Sequence, residues 1–270
     1  MSSGTASILV VDDGSSDGTA DFVGGKSWWN ASFKDNAKEN CWNVDENVMM
    51  ISLPKNSGKG AAIERGMAEL PSSVPSSSDE DPDSERLVRS IVLVADADGS
   101  GDISCVDCML YCMEEMFSTA ETERLAIAAD QYPFDQPLAV VVGYRQYLEP
   151  KSPLRALLSW GFRACLSIIF FGSDLGIRDT QCGFKMMTNS AGNILYNKLN
   201  LRRWTQDVEV IHRARVIGIP IRQCSVPWVD KEGSKLFSNP SDAIIVSLKM
   251  LSEIANMRLR YSLGMWTVPL

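Results

Sequence analysis

The chain has 270 residues, of which 45% are hydrophobic and 22% charged, and its formal net charge is −8. This composition is typical of a folded protein and excludes a chain that is disordered throughout. A chain of this length can bury a full core as one large α/β domain. It shows no signal-peptide pattern and no run of 18 apolar residues, so the sequence predicts no membrane-crossing helix.

The net charge hides an uneven distribution of charged residues. Residues 1–140 hold 9 Lys and Arg against 25 Asp and Glu, a balance of −16, whereas residues 141–270 hold 17 against 9, a balance of +8. A basic second half suits an anionic partner, such as a phosphate-bearing substrate or a membrane surface. Nucleic acid fits the sign equally well. However, the interleaved aromatic and basic residues of single-strand binders are absent, and we expect no nucleic-acid partner.

The seven cysteines, an odd number scattered through a long chain, predict a reducing compartment. Cys105, Cys108 and Cys112 lie at i, i+3 and i+7, which places them on one stripe of a helix. No second Cys-x-x-Cys pair or His cluster completes a zinc site in the sequence. We therefore interpret the stripe as core packing, and the single histidine, His212, as structural.

Strand and helix patterns alternate through the first half of the chain. Apolar runs predict strands at 7–12, 48–53, 91–95 and 138–142, and helical periodicity predicts helices at 61–70 and 103–117. Asp12 is a candidate cap for a helix after the first strand. Residues 24–47 predict a helix end and a surface insertion, and residues 71–86, rich in Ser, Pro and Asp, a disordered loop. Strands separated by helices in this order indicate a parallel, doubly wound sheet.

Two long amphipathic helices are predicted in the second half, at 154–171 and 241–260. Both carry apolar residues at helical spacing, accompanied by Arg or Lys. The pattern is typical of helices at a membrane interface, and equally of helices packed on the core of their own domain. We divide the chain into an α/β domain at 1–240 and an amphipathic membrane-interface helix at 241–270.

The strongest chemical signal is the buried strand that ends in Asp96-Ala97-Asp98. Open α/β sheets bind ligands at the C-terminal ends of their strands. Two carboxylates one residue apart stay charged at low cost when a cation lies between them. Hard divalent ions that carry nucleotide phosphates are bound by one or two carboxylates. The segment therefore predicts a metal–nucleotide site, and the alternative is a strand followed by an acidic turn.

Three polar loops are predicted to meet at this edge of the sheet, at 12–14, 96–98 and 143–145. The spacing G-x-G-x-x-G is absent, which gives no support to a dinucleotide site. The loop at 55–60 contains two glycines but lacks the spacing G-x-x-x-x-G-K-[ST]. Walker-type ATP hydrolysis is therefore not expected.

Taken together, these segments resemble family 2 glycosyltransferases of the GT-A fold. Asp96-Ala97-Asp98 matches their metal-binding Asp-x-Asp, and residues 10–15 match their nucleotide-binding strand end. Within the family, the chain is most similar to the branch that glucosylates dolichyl phosphate. That similarity lies in the segments 177–185, 203–209, 232–236 and 258–261.

The resemblance implies a doubly wound mixed sheet. It also implies transfer of glucose from UDP-glucose to dolichyl phosphate, with inversion, at the cytosolic face of the endoplasmic reticulum membrane. Mg²⁺ or Mn²⁺ held by Asp96 and Asp98 would bind the diphosphate of the donor. The candidate donor- and acceptor-binding residues are Val11, Asp13, Lys59, Asp96, Ala97, Asp98, Arg145, Lys185 and Arg203.

Particular roles follow from the same resemblance. Val11 and Asp13 would contact uridine, and Arg145 would neutralise the diphosphate. Lys235 lies in a loop expected to cover the donor or to meet the acceptor phosphate. Asp207 occupies the position where related enzymes often have the general base.

The acceptor chemistry changes the expected role of Asp207. A phosphate monoester has a second pKa of about 6 and is largely ionised at neutral pH, so the nucleophile arrives charged. Our hypothesis is that Asp207 mainly orients Lys185, Arg202 or Arg203, and that those cations hold the acceptor phosphate in line. Asp179 is a second candidate for either role.

Structural interpretations remain open at several of these positions. Arg145 has Glu149 as an alternative partner, residues 181–183 have a tight turn as an alternative, and Trp204 is interpreted as a packing residue.

The family's first strand and membrane anchor have no counterpart here, and we expect a sheet without that strand. A relative that uses GDP-mannose and a non-catalytic nucleotide-sugar-binding protein are the alternative functions.

Overall fold

The structure is a computed structural model that describes residues 5–19, 43–70, 90–118, 137–148, 153–170, 176–229 and 240–269. Its strands are β1 Thr5–Asp12, β2 Asn43–Ser52, β3 Ile91–Val94, β4 Val140–Tyr147, β5 Lys185–Thr188 and β6 Ile221–Trp228. Its α-helices are α1 Lys59–Glu69, α2 Val106–Ser118, α3 Pro153–Ile169, α4 Asn189–Tyr196, α5 Gln206–Val216 and α6 Pro240–Ser262. A 3₁₀ turn, Ile103–Cys105, precedes α2. The predicted loop at 71–86 and most of the predicted insertion at 24–47 lie outside the described residues.

The strands form two sheets. β1 and β2 pair in parallel, and the other sheet has the strand order β3-β5-β4-β6. Within it, β5 is antiparallel to both β3 and β4, whereas β4 and β6 are parallel. The α/β prediction and the mixed sheet implied by the resemblance are confirmed, whereas the parallel sheet predicted from element order alone is not found. That prediction was wrong because it did not include β5, a strand with only two apolar residues, Met186 and Met187, between Lys185 and Thr188.

The central strands are buried on both faces. Val140 and Val142 of β4 pack with α3, α4, α5 and α6, whereas Val141 between them packs with α2. Successive side chains of a strand point to opposite faces, so a continuous apolar run requires cover on both. This layering positions the C-terminal ends of β1 and β3 beside the first turn of α1.

β4 is longer than the sequence predicts. It runs from Val140 to Tyr147, and its last pair with β6 is Tyr147 with Trp228. Gly143, Tyr144 and Arg145 are therefore strand residues, and the prediction that they form a loop after the strand was wrong. Pairing with β6, which the sequence analysis did not identify, holds these residues in extended conformation.

The cysteine stripe is only partly core. Cys105 is buried, Cys112 is half-buried and Cys108 is exposed. The core positions of α2 are taken by Met109, Met113 and Met116, which are fully buried. The interpretation of the stripe as core packing was therefore wrong for Cys108.

His212 has a structural environment. Its ring packs against Phe170 and edge-on against Tyr261, at centroid distances of 5.6 Å and 5.0 Å. Its buried Nε2 has no hydrogen-bond partner among the described residues. Burial, together with the positive charge of Arg258, lowers the pKa of His212 from 6.5 to about 4.

This pKa predicts a dependence of stability on pH. The contribution of neutral His212 is fully present above about pH 6.5 and is lost as the pH falls toward 4, because the unfolded chain then binds the proton more tightly. We expect the free energy of unfolding to fall by about 3 kcal/mol more in the wild type than in His212→Phe across this range. Urea unfolding at several pH values measures the difference. Equal pH dependence in the two proteins would refute the assignment.

Candidate active site

Asp13 fastens the end of β1 to the loop that precedes α1. Its carboxylate accepts hydrogen bonds from the backbone N–H groups of Ser57 and Gly58, at 2.7 Å and 2.8 Å. Gly14 adopts a φ of +72°, and a Cβ there would lie 2.6 Å from the carbonyl carbon of Lys55. The two loops are therefore in direct contact, which fixes the start of α1 relative to β1.

The neighbours of Asp13 have structural partners. Asp12 is buried and accepts a hydrogen bond from the backbone N–H of Ser15 at 3.2 Å, the local turn expected of a capping residue. Val11 packs on α1, since a Cβ added to Gly66 of that helix would lie 3.1 Å from the Cγ2 of Val11. The predicted contact of Val11 and Asp13 with uridine stays a prediction.

Lys59, the first residue of α1, joins this region to the acidic segment after β3. Its Nζ lies 2.5 Å from Oδ1 of Asp96. Burial alone would lower the pKa of Lys59, but the charges of Asp207 and Asp96 outweigh it and raise the pKa above 10.5. Lys59 is thus held protonated between two carboxylates.

Gly183 provides the space for Asp96. A Cβ built on Gly183 would lie 2.0 Å from Oδ2 of Asp96 and 2.4 Å from its Cγ. No pair of non-bonded atoms tolerates such distances, so the Asp96 carboxylate rests directly on the backbone of the turn at 180–183. A tight turn at 181–183 was one of the two interpretations of this segment. That the turn supports the first carboxylate of Asp96-Ala97-Asp98 could not be predicted from the sequence.

Asp207 and Lys185 form a buried ion pair behind Asp96. The Nζ of Lys185 lies 2.5 Å from Oδ1 of Asp207 and also donates to the backbone carbonyl of Cys182. The Lys185 side chain is 1% exposed and that of Asp207 is 5% exposed. The predicted partnership of Asp207 with Lys185 is therefore observed. Both amide atoms of the adjacent Gln206 are buried without a hydrogen-bond partner among the described residues.

Arg145 pairs with Asp179. Its Nε and Nη2 donate to the two carboxylate oxygens of Asp179 at 2.6 Å and 2.9 Å. Its guanidinium also lies over the rings of Tyr147 and Trp228. Two parallel N–H···O bonds fix both planes, as is usual for Arg–carboxylate pairs. The alternative partner, Glu149, lies outside the described residues.

The pairing determines the charge state of Asp179. Burial would raise the pKa of Asp179, but the hydrogen bonds and the charge of Arg145 outweigh it and lower the pKa below 3.8. Burial likewise opposes the charge of Arg145, and Asp179 raises its pKa well above the ordinary range. A carboxylate that binds Arg145 this firmly is poorly suited to accept a proton.

The segment at 200–205 covers the first turn of α1. The carbonyl oxygen of Arg202 accepts from the backbone N–H of Ala61 at 3.2 Å, and a Cβ on Gly58 would lie 2.4 Å from that oxygen. The side chains of Arg202 and Arg203 are exposed. Trp204 is also exposed, by 47%, which corrects its interpretation as a packing residue.

A buried network holds this segment in place. Glu209 and Arg213 of α5 form an ion pair at 2.9 Å, and both side chains are 0% exposed. Arg213 also donates to the carbonyls of Leu195, Asn197 and Lys198. Glu209 accepts from the backbone N–H of Leu201 at 2.7 Å and from the hydroxyl of Tyr261 at 2.8 Å. The i, i+4 spacing of Glu209 and Arg213 was the available signal, but the sequence does not show that the pair is buried.

Arg213→Met is expected to lower the free energy of unfolding by about 3–5 kcal/mol, because it leaves Glu209 buried without its counter-charge. The matched control is Arg65→Met, which removes another i, i+4 Arg–Glu pair whose side chains are 44% exposed. We expect the control to cost about 0.5 kcal/mol. Urea midpoints measure both effects, and equal losses would contradict the network's role.

Asp96, Ala97 and Asp98 form the solvent-accessible rim of this region. Ala97 and Asp98 are exposed, and Asp98 accepts from the backbone N–H of Ser100 at 2.9 Å. Asp96 is partly exposed. Accessible carboxylate oxygens at this position fit a hard divalent cation completed by phosphate oxygens. Lys235 lies outside the described residues.

Together these contacts place five predicted residues in one region. Asp13 holds the loop before α1, and Lys59 of that helix binds Asp96. Asp207 binds Lys185, and the charge of Asp207 also raises the pKa of Lys59. Such a site can bind a diphosphate at its exposed rim and a second phosphate near its buried cations. The mixed α/β sheet with this site fits the GT-A class of glycosyltransferases.

The chain is similar in sequence to several known enzymes. The chain is 32% identical to the human dolichyl-phosphate beta-glucosyltransferase, and the match covers 97% of this chain and 66% of that protein. Proteins of the same name match from Dictyostelium discoideum at 27% identity and from Saccharomyces cerevisiae at 26%, over 97% and 96% of this chain. No family model matches the chain.

These matches confirm the resemblance predicted from the motifs: by sequence, the chain is a relative of the dolichyl-phosphate beta-glucosyltransferases. It spans 66% of the human relative and 65% of the Dictyostelium discoideum relative.

Proposed function

We propose that this chain transfers glucose from UDP-glucose to dolichyl phosphate, with inversion. The observation that carries the proposal is the cluster of Lys59, Asp96, Lys185 and Asp207, where two lysines and two carboxylates meet at the ends of α1, β3, β5 and α5. The names of the relatives support the acceptor and the sugar. The donor nucleotide follows from the family resemblance.

The donor diphosphate is proposed to bind at the exposed side of this cluster. Asp96 and Asp98 would hold Mg²⁺ or Mn²⁺, which neutralises charge on the leaving diphosphate when bound. Lys59 lies against Asp96 and supplies a positive charge on the same side. The exposed Arg203 is a further cation at the rim. The site thus offers positive charge where the leaving group gains negative charge.

The acceptor phosphate is proposed to bind the exposed cations Arg202 and Arg203, just before α5. Lys185 is 1% exposed and contributes its charge from within the fold, where Asp207 and the carbonyl of Cys182 fix its position. A charged phosphate oxygen needs alignment rather than deprotonation, so fixed cations suit the reaction better than a base. Arg145 is proposed to shape the site through Asp179.

Transfer of labelled glucose from UDP-glucose to a short polyprenyl phosphate tests the proposal. Parallel assays with GDP-mannose and with UDP-glucose in the absence of acceptor separate the alternatives. We expect a glucosylated lipid only with UDP-glucose and acceptor together. Mannosyl transfer would establish the alternative donor, and binding of UDP-glucose without transfer would establish a non-catalytic binding protein.

We also propose that α3 and α6 lie on a membrane surface at the endoplasmic reticulum, facing the cytosol. The two helices pack against each other, and both leave large apolar side chains exposed. These are Leu157, Trp160 and Ile168 of α3, and Ile244, Ile245, Leu248 and Leu259 of α6. The exposed cations Arg163 and Lys249 accompany them, as expected for interfacial helices. None of the described helices is both long and apolar enough to cross a bilayer.

Trp160→Glu is expected to weaken binding to phosphatidylcholine vesicles containing phosphatidylserine by at least about tenfold, because it places a charge in the apolar surface. Co-sedimentation measures the binding. The control is Ile103→Glu, an equally exposed residue in the turn before α2, which packs on the opposite face of the sheet. If both variants bind like the wild type, this surface does not contact the membrane.

Among the described residues, β1 pairs only with β2 and β3 pairs only with β5, and we propose that the unpaired edges of β1 and β3 face each other. All four residues of β3 are partly exposed although all are apolar, and Ile8 of β1 is 37% exposed. α1 bridges the sheets, since it packs on β1 and on α4. Rapid hydrogen exchange at the β3 amides that do not bond to β5 would support the proposal, and slow exchange would contradict it.

A further inference from the structure

Three cysteine sulfurs meet where α2 packs on β6. Cys108 and Cys112 belong to α2, and Cys224 belongs to β6. Their Sγ atoms all lie within 4.8 Å of one another, and the Sγ of Cys224 lies 2.9 Å from that of Cys108. None of the three contributes to the site described above.

Local structure explains the convergence. Cys108 and Cys112 are separated by one turn of α2 and therefore share a face of the helix. α2 packs on β6, and Cys224 is a buried residue of that strand. The third cysteine follows more than a hundred residues after Cys112 and becomes its neighbour only through folding. Residue spacing on α2 therefore does not reveal the cluster.

We propose that Cys108, Cys112 and Cys224 form a three-thiolate site for a soft or borderline cation, with Zn²⁺ as the ordinary occupant. Zinc–sulfur bonds of about 2.3 Å at tetrahedral angles place two sulfurs ~3.8 Å apart. The observed cluster, with all sulfurs within 4.8 Å, needs only small side-chain rotations to reach this geometry. Water or an added ligand would complete the fourth position.

The surroundings permit metal entry and distinguish this site from the acidic pair. Cys108 is exposed and Cys112 is half-buried, so a cation can reach the sulfurs from solvent. Binding converts three thiols to thiolates and releases their protons to solvent. Sulfur ligands select soft cations, whereas the carboxylates of Asp96 and Asp98 select hard ones. Occupancy would link α2 to β6 and raise the thermal stability of the chain.

Titration of the tag-free, freshly reduced protein with Co²⁺, a spectroscopic substitute for Zn²⁺, tests the proposal. We expect one Co²⁺ per chain with a thiolate-to-cobalt charge-transfer band, which Zn²⁺ then abolishes. Co²⁺ bound to the carboxylates would give no such band. The charge-transfer signal therefore reports thiolate ligation and not the acidic pair, whether or not the chain has transferase activity, and the cysteine variants assign it to this cluster.

Two variants and one control decide the outcome. Cys108→Ser and Cys112→Ser are each expected to weaken Co²⁺ binding by roughly tenfold or more, while Cys165→Ser, on α3 and outside the cluster, leaves it unchanged. Cys108 is exposed, so its replacement does not disturb the core. Absence of the band in the wild type, or an unchanged band in both cluster variants, would overturn the proposal. A disulfide between Cys108 and Cys224 in fresh protein would also overturn it.

Discussion

Replacement of Gly183 by alanine is expected to lower kcat/KM for glucosyl transfer by about 100-fold or more, with little change in overall stability. The added Cβ would lie 2.0 Å from Oδ2 of Asp96, so the short Asp96 side chain must move. Its ion pair with Lys59 would be lost in the same movement. A displacement of about 1 Å at a reacting centre costs on the order of 100-fold in rate.

Gly161→Ala is the matched control for this prediction. Gly161 lies in α3, and a Cβ there meets no atom within 4 Å. An alanine in a helix is neutral or stabilising relative to glycine, so we expect unchanged activity with a short, soluble acceptor. If Gly183→Ala retains wild-type kcat/KM, then the position of Asp96 does not matter for transfer and the proposed donor site is wrong.

Asp207→Asn is expected to reduce kcat by about two to three orders of magnitude at every pH, while the acidic limb of the pH–rate profile stays in place. The change removes the negative charge beside Lys185, which is 1% exposed, and the lysine then loses its fixed orientation. A general base would behave differently, because its removal eliminates the acidic limb itself. The measurement is kcat against pH for both proteins.

A double variant separates orientation from proton transfer. If Asp207 acts through Lys185, the combination of Asp207→Asn with Lys185→Met will be little worse than the more damaging single change. Urea midpoints of all variants show how much of each loss reflects unfolding. Additive losses, together with disappearance of the acidic limb in Asp207→Asn, would restore the general-base mechanism.

The sequence predicts the periodic and local features of this protein well. The apolar runs before Asp12 and Asp96 lie in strands as predicted, and helical periodicity located α1, α2, α3 and α6. Runs and periods of apolar residues indicate burial along a whole element, which is why these strands and helices could be predicted from the sequence. β5 and β6 were missed because β5 has only two apolar residues and β6 mixes polar residues with a proline.

Contacts between residues far apart in the sequence were harder to predict. Arg145 was expected to bind phosphate or Glu149, but its guanidinium is paired with Asp179, 34 residues away. The convergence of Cys224 on Cys108 depends in the same way on the packing of α2 against β6. Such contacts are set by tertiary packing, which leaves no trace in residue spacing.

Calorimetric titration with UDP-glucose, with Mn²⁺ and with EDTA, tests the central claim most directly in the wild type and in Asp98→Asn. Asp98 is exposed and makes only a local hydrogen bond to Ser100 among those described, so its amide should leave the fold intact. The account predicts that Mn²⁺ tightens binding by at least about tenfold in the wild type and not in the variant. Equal affinity with and without Mn²⁺ in the wild type would contradict it.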